Sequence, residues 1–165
     1  MNKIILIIKN ILLQKDSLSW QVCKYMLFGG IAVLVDQLVY YGFGLNIIPI
    51  FKDSDPIVEY LGISITSVLE ENQSRNLWFV KTICWFFANA TAYLLNRLFV
   101  FSVGKHKTYI EIILFFTFAL PQFIFVGFID ILIKSGWEVT YANYSMLCLA
   151  AIINFLVRKF IIFKG

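Results

Sequence analysis

Four apolar runs, roughly Tyr25–Leu45, Trp78–Phe101, Tyr109–Ile133 and Tyr141–Phe163, are each long enough to cross a bilayer as a helix. About 20 apolar residues of helix span the hydrocarbon core. Inside that core every backbone N–H and C=O must be bonded within the protein, a demand met only by helices and closed barrels. The connectors hold the breakers: Pro49, Asp53-Ser54-Asp55-Pro56, Ser102-Val103-Gly104 and Lys134-Ser135-Gly136. Composition agrees, with 60% hydrophobic and only 15% charged residues and a mean hydropathy of +0.80. Soluble domains run at about 45–50% apolar and about 25% charged, so a water-soluble globule is a poor fit. The expected fold is an all-α integral membrane protein, one four-helix membrane domain over residues 1–165.

Charge distribution orients those spans. Lys3, Lys9, Lys15 and Lys24 precede the first span against the single acid Asp16, Lys105 and Lys107 lie between the second and third, and the tail carries Arg158, Lys159 and Lys164. The 46–77 connector instead holds Asp53, Asp55, Glu59, Glu70 and Glu71 against Lys52 and Arg75. Basic loops stay in the cytoplasm, which puts both termini there and the 46–77 connector outside. Residues 1–15, with Ile4, Ile7, Ile8, Ile11 and Leu12 on one side, are too short for a fifth span and read as an amphipathic helix in the cytoplasmic interface. Within the outer connector, the alternating stretch Gly62–Leu69 reads as a short strand or helix.

The chain also repeats itself. Ala92-Tyr-Leu-Leu-Asn-Arg-Leu-Phe-Val-Phe101 returns 62 residues later as Asn154-Phe-Leu-Val-Arg-Lys-Phe-Ile-Ile-Phe163. Each copy ends an apolar run on a polar or cationic pair, Asn96-Arg97 or Arg158-Lys159, followed by three hydrophobic residues and a Phe. Both copies run from outside to inside, which makes two parallel two-helix repeats.

Ionisable groups within a span cost about 2.5 kcal/mol or more, so each requires a reason. Asp36 falls near the middle of the first span, either paired with a cation on a neighbouring helix, simply protonated, or contacting a substrate or coupling ion. Arg97 is either an interfacial anchor or a phosphate clamp, since its planar fork binds phosphate oxygens bidentately. Arg158 and Lys159 at the matching place, with Lys24 nearby in the topology, favour the clamp. Asn89 and Asn154 suit interhelical hydrogen bonds or sugar hydroxyls. Pro121 should kink the third span. Glu111, Lys81 and Asp130, all near span ends, read as solvated.

At this point the chain resembles a known family. Lys24-Tyr-Met-Leu-Phe-Gly-Gly-Ile-Ala-Val-Leu-Val-Asp36 looks like the opening of the GtrA-like proteins, small four-span bacterial membrane proteins. The endings Tyr93–Phe101 and Asn154–Phe163 are similar to that family's aromatic–x–x–Asn–Arg–x–aromatic–Val–Phe pattern. Arg158 and Lys159 depart from it, standing where the pattern has Asn and Arg, and the 46–77 insert is longer than the family usually carries. The resemblance implies a role in cell-surface polysaccharide or teichoic-acid glycosylation, by flipping a polyprenyl-phosphate-linked sugar across the bacterial cytoplasmic membrane. Under that implication Arg97, Arg158, Lys159 and Lys24 would hold the phosphate. Asp36, Asn89, Asn96 and Asn154 would meet the sugar or couple its movement. Four short helices leave little room for a closed path, so a homo-oligomer, a dimer first, is expected among membrane lipids.

Other classes fare worse. His106 is the sole histidine, and Cys23, Cys84 and Cys148 lack metal-ligand spacing, so neither a metal centre nor a His-based triad is expected. The chain reads as a non-enzyme without cofactors, and its basic residues form no nucleic-acid stripe. Two alternatives stand: a non-transporting subunit that docks a glycosyltransferase, and a small multidrug-type exporter using Asp36, whose cationic neighbours would repel cationic drugs.

Overall fold

The computed structural model describes residues 18–100 and 107–157. Among these the secondary structure is entirely helical, without a strand. The chain forms α1 (Leu18–Asn46), α2 (Pro56–Leu61) and α3 (Glu70–Leu95), which runs into a π-helical turn, Asn96–Val100. Then come α4 (Thr108–Ala119), a 3-10 turn Leu120–Gln122, α5 (Phe123–Lys134) and α6 (Val139–Val157). The expected amphipathic helix over 1–15 lies outside the described residues.

Among the described residues, two helical stretches are long and apolar enough to cross a membrane: Cys23–Asn46 and Thr108–Lys134. Only 17% of each apolar window is buried in the protein. Leu34 and Leu38 on α1, and Phe118 and Ile124 on α4 and α5, stand exposed. A core helix of a soluble protein would bury such side chains, so these faces fit an apolar surrounding.

The break in the second stretch follows from Pro121, which has no N–H to give the helix and whose ring clashes with the preceding turn. The backbone tightens there, with Leu120 N–H bonding Thr117 O. Ala119, the last residue before the break, accepts a hydrogen bond from the Trp85 indole at 3.1 Å. A polar backbone group at a helix break is thus bonded by a neighbouring helix.

Contacts divide the chain into two compact units, residues up to 40 with 82–120, and 41–81 with the residues from 121 onward. In the first, Phe28 and Ala32 put one face of α1 inward, and Phe28 meets Phe99 of the π turn at 5.4 Å. Aromatic pairs join α3 to α4, Trp85 with Phe116 at 5.4 Å and Tyr93 with Phe115 at 5.5 Å.

The second unit is organised by the connector. Its core holds Ile50, Phe51, Val58, Leu77, Val80 and Val139. Gln73 donates to Ile50 O at 3.0 Å and Asn76 to Pro49 O at 2.9 Å, so polar groups of α3 satisfy connector carbonyls. Lys52 reaches Glu70 at 2.8 Å on the surface and holds that carboxyl below the usual range. The helix therefore starts at Glu70, eight residues before the expected span. Gly62–Leu69 is correspondingly neither strand nor helix over 63–69, its Val68 N–H bonding Phe51 O at 3.2 Å.

Gly44 lets the connector fold back onto α1. A Cβ there would stand 2.8 Å from Ile50 Cδ1 and from Phe51 Cε2, both fully buried. Gly44→Ala is expected to destabilise the protein by about 1–3 kcal/mol, the usual cost of overpacking. A thermal-unfolding midpoint unchanged from wild type in detergent would show that the connector yields freely.

Candidate functional site

The site is built on the π turn that closes α3. A π turn is wider than an α turn and leaves the backbone ladder out of step; such turns recur at functional positions. Here it carries the Asn96-Arg97 pair of the repeat. Three of the expected residues gather on it. Lys24, 2% exposed, sends its Nζ to Phe99 O at 3.3 Å and lies 5.9 Å from the Trp20 ring centroid. A buried ammonium is thus held by a carbonyl at the carboxyl end of a helix, where the dipole favours a cation, and by an aromatic face.

Arg97 is half-buried and orients through four contacts. Its Nη1 donates to the Tyr93 hydroxyl and lies 3.3 Å from Glu111 Oε2; its Nη2 donates to Thr108 Oγ1 at 2.9 Å; the guanidinium sits 5.8 Å from the Tyr93 ring centroid. Tyr93 is one helical turn before Arg97, and Thr108 and Glu111 come from the first turn of α4. A guanidinium has five N–H donors, so these partners fix its plane and leave donors for a further anion. Asn96 is 5% exposed, and its Oδ1 is buried with no hydrogen-bond partner among the described residues. A buried amide oxygen left unpaired costs about 1–3 kcal/mol, which makes it a place where a ligand hydroxyl or amide would be well received.

The other expected residues stand elsewhere. Asp36 accepts from the Gln37 amide at 2.9 Å, and no cation pairs with it among the described residues. Asn89 is buried and donates back to Trp85 O at 2.8 Å within its own helix. Asn154 lies in α6 without a described side chain, and Arg158 and Lys159 lie outside the described residues.

Three residues read as solvated are not. Glu111 is half-buried against Arg97. Lys81 is buried, its Nζ 2.6 Å from Asn143 Oδ1 on α6. Asp130 is buried too, bonded to Lys134 at 2.8 Å with Ser74 and Trp78 close by. The Asp130–Lys134 spacing of four is a helix-pair signal that could have found this contact. Lys81 and Asn143 had a subtler one: they are 62 residues apart, the interval of the repeat.

Asp55 was read as part of a breaker and as one acid of the outer connector. It is fully buried and caps two helices. Its Oδ1 accepts from Ile57 N–H at 3.1 Å at the start of α2 and from the Thr140 hydroxyl; its Oδ2 accepts from Thr140 N–H at 3.0 Å at the start of α6. Asp followed by Pro is the sequence signature of such a start, the carboxylate at the cap and proline in the first turn.

Compared with family models, curated proteins and solved structures, the chain matches none.

Proposed function

We propose that this is a four-span protein of the bacterial cytoplasmic membrane, both termini inside, that carries a polyprenyl-phosphate-linked sugar across the bilayer for cell-surface glycosylation. The observation that carries the reading is the convergence of Lys24, Asn96 and Arg97 on one π turn, with the Asn96 amide oxygen buried and unpaired among the described residues. Such a lipid has a phosphate at headgroup depth, a sugar rich in hydroxyls and an apolar tail. Arg97 offers donors to the phosphate and Asn96 an acceptor to a hydroxyl, and the exposed apolar helix faces leave the tail in lipid. Arg158 and Lys159 would complete the cationic set from the second repeat, and two copies of the chain would enclose the path.

The two-repeat architecture draws support from the Lys81–Asn143 contact, whose partners are separated by 62 residues, the interval of the repeat. The spans at 78–101 and 141–163 would be formed by α3 with its π turn and by α6.

The engagement of Arg97 with Glu111 favours a second reading, in which the arginine is structural and the chain docks a glycosyltransferase without moving lipid. Native mass spectrometry with polyprenyl phosphate and polyprenyl-phosphoryl hexose separates the two. A carrier retains the sugar-linked lipid selectively; a docking subunit retains neither. In vesicles, Asp36→Asn is expected to slow flipping while leaving lipid retention largely intact, and normal flipping by that variant would make Asp36 a bystander.

A further inference from the structure

The connector between α1 and α3 carries large apolar side chains turned away from the protein. Tyr60 is 86% exposed, and Leu61 and Ile63 are exposed beside it, while Val58 of the same short helix points into the core. Glu59, between them, is exposed as well. In water this surface would be costly, since apolar area left exposed forgoes about 25 cal/mol per Å².

Hydrogen bonds set the depth of this segment. The apolar stretch Thr108–Lys134 ends at Lys134. Gly136, at φ 92°, turns the chain back so that Trp137 N–H bonds Leu132 O at 3.1 Å, which holds Trp137 at that helix end. α6 starts two residues later at Val139, with Tyr141 in its first turn. Trp137 is 47% and Tyr141 57% exposed. Asp55 bonds both the N–H and the hydroxyl of Thr140, and Ser54 donates to Glu138 at 2.9 Å. The start of α2 is therefore tied to the same level as Trp137 and Tyr141. A helix rises 1.5 Å per residue, so Tyr60, five residues beyond Asp55, lies within about 8 Å of that level along α2.

We propose that α2 lies in the membrane–water interface, its Tyr60–Leu61 edge set among lipid headgroups and upper acyl chains in one aromatic girdle with Trp137 and Tyr141. The inference rests on the membrane-spanning reading above. Tyr and Trp suit this zone because each joins an apolar ring to a polar group. Interfacial helices bury their apolar side about 5–10 Å into the headgroup–acyl boundary, which matches the depth range set by the hydrogen bonds. Asp53, Glu59, Glu70 and Glu71 supply the water-facing side of the same connector. The connector would thus lie flat on the bilayer.

The test is a spin label at Tyr60→Cys, in a chain with the exposed Cys23 and Cys148 changed to Ser, reconstituted in phosphatidylethanolamine–phosphatidylglycerol vesicles. Collisions with oxygen and with a water-soluble nickel chelate are measured there and at two references, Leu38→Cys and Asp53→Cys. The proposal expects the Tyr60 label to see oxygen readily and to fall at least threefold below the Asp53 label in nickel accessibility. Nickel accessibility equal to that at Asp53 would put α2 in water and overturn it. Shielding from both reagents would also overturn it, because protein, a second copy or a partner, would then cover the segment. A Leu38 label open to nickel would instead strike down the membrane-spanning reading itself.

Discussion

Asp55→Ala is expected to be the most destabilising single change in the outer connector. The substitution removes the cap of α2, worth about 1 kcal/mol. It also strands the Thr140 N–H and hydroxyl in a buried place, each unmet group costing about 1–3 kcal/mol. Together the loss should be about 3–7 kcal/mol, enough to lower the thermal midpoint by many degrees or to prevent folding. Two milder variants keep the claim testable should the alanine variant fail to fold. Asp55→Asn retains one acceptor but turns an amide donor toward one of the Thr140 donors or the Ile57 N–H, and should lose most of the same stability. Thr140→Val removes only the hydroxyl, leaves the N–H bond to Oδ2, and should cost about 1 kcal/mol. Equal stability of Asp55→Asn and wild type would show that the carboxylate's double cap contributes little.

The second large effect concerns Arg97 and Glu111, which should act in opposite directions. If the guanidinium receives a lipid phosphate, Arg97→Gln should weaken retention of polyprenyl-phosphoryl hexose at least tenfold, while expression and oligomeric state remain normal. Glu111 competes for the same cation at 3.3 Å. Charge-assisted hydrogen bonds are about twice as strong as neutral ones, so Glu111→Gln, which keeps the shape and removes the charge, should tighten retention several-fold. A structural arginine gives another pattern: both variants would lose stability and neither would change lipid retention. Native mass spectrometry of the three proteins side by side distinguishes them.

Much of the helical layout was legible in the primary structure because lipid-length apolar runs leave so few options. The runs at 25–45 and 109–133 fall in the two helical stretches of membrane-crossing length and apolarity among the described residues, and Pro121 marks where the second breaks. The start of α3 was not legible by the same route. Glu70, Glu71 and Arg75 read as connector because hydropathy registers polarity, whereas a helix continues past an apolar segment as long as its backbone bonds persist. Long-range polar pairing was hidden for a different reason. Lys81 owes its place to an amide on another helix, and Glu111 to a cation fourteen residues back in the chain. Neither partner follows from local pattern. The local devices, the Asp-Pro cap at 55–56 and the Asp–Lys spacing at 130–134, were present to be read.

The Lys81–Asn143 contact bears on how such a chain could have arisen. Where two identical subunits meet on a twofold axis, a residue on that axis faces its own copy and must be compatible with itself. Two ammonium groups at hydrogen-bond distance in a buried place would repel strongly. Once the two halves share one polypeptide, each can change alone, and a donor in one half can be matched by an acceptor in the other. Under the proposed two-repeat reading, Lys81 and Asn143 stand one repeat interval apart in sequence, with Nζ and Oδ1 2.6 Å apart. Joined halves can differ, and under that reading the chain would accommodate a buried lysine that a symmetric pair of separate subunits would have had to exclude.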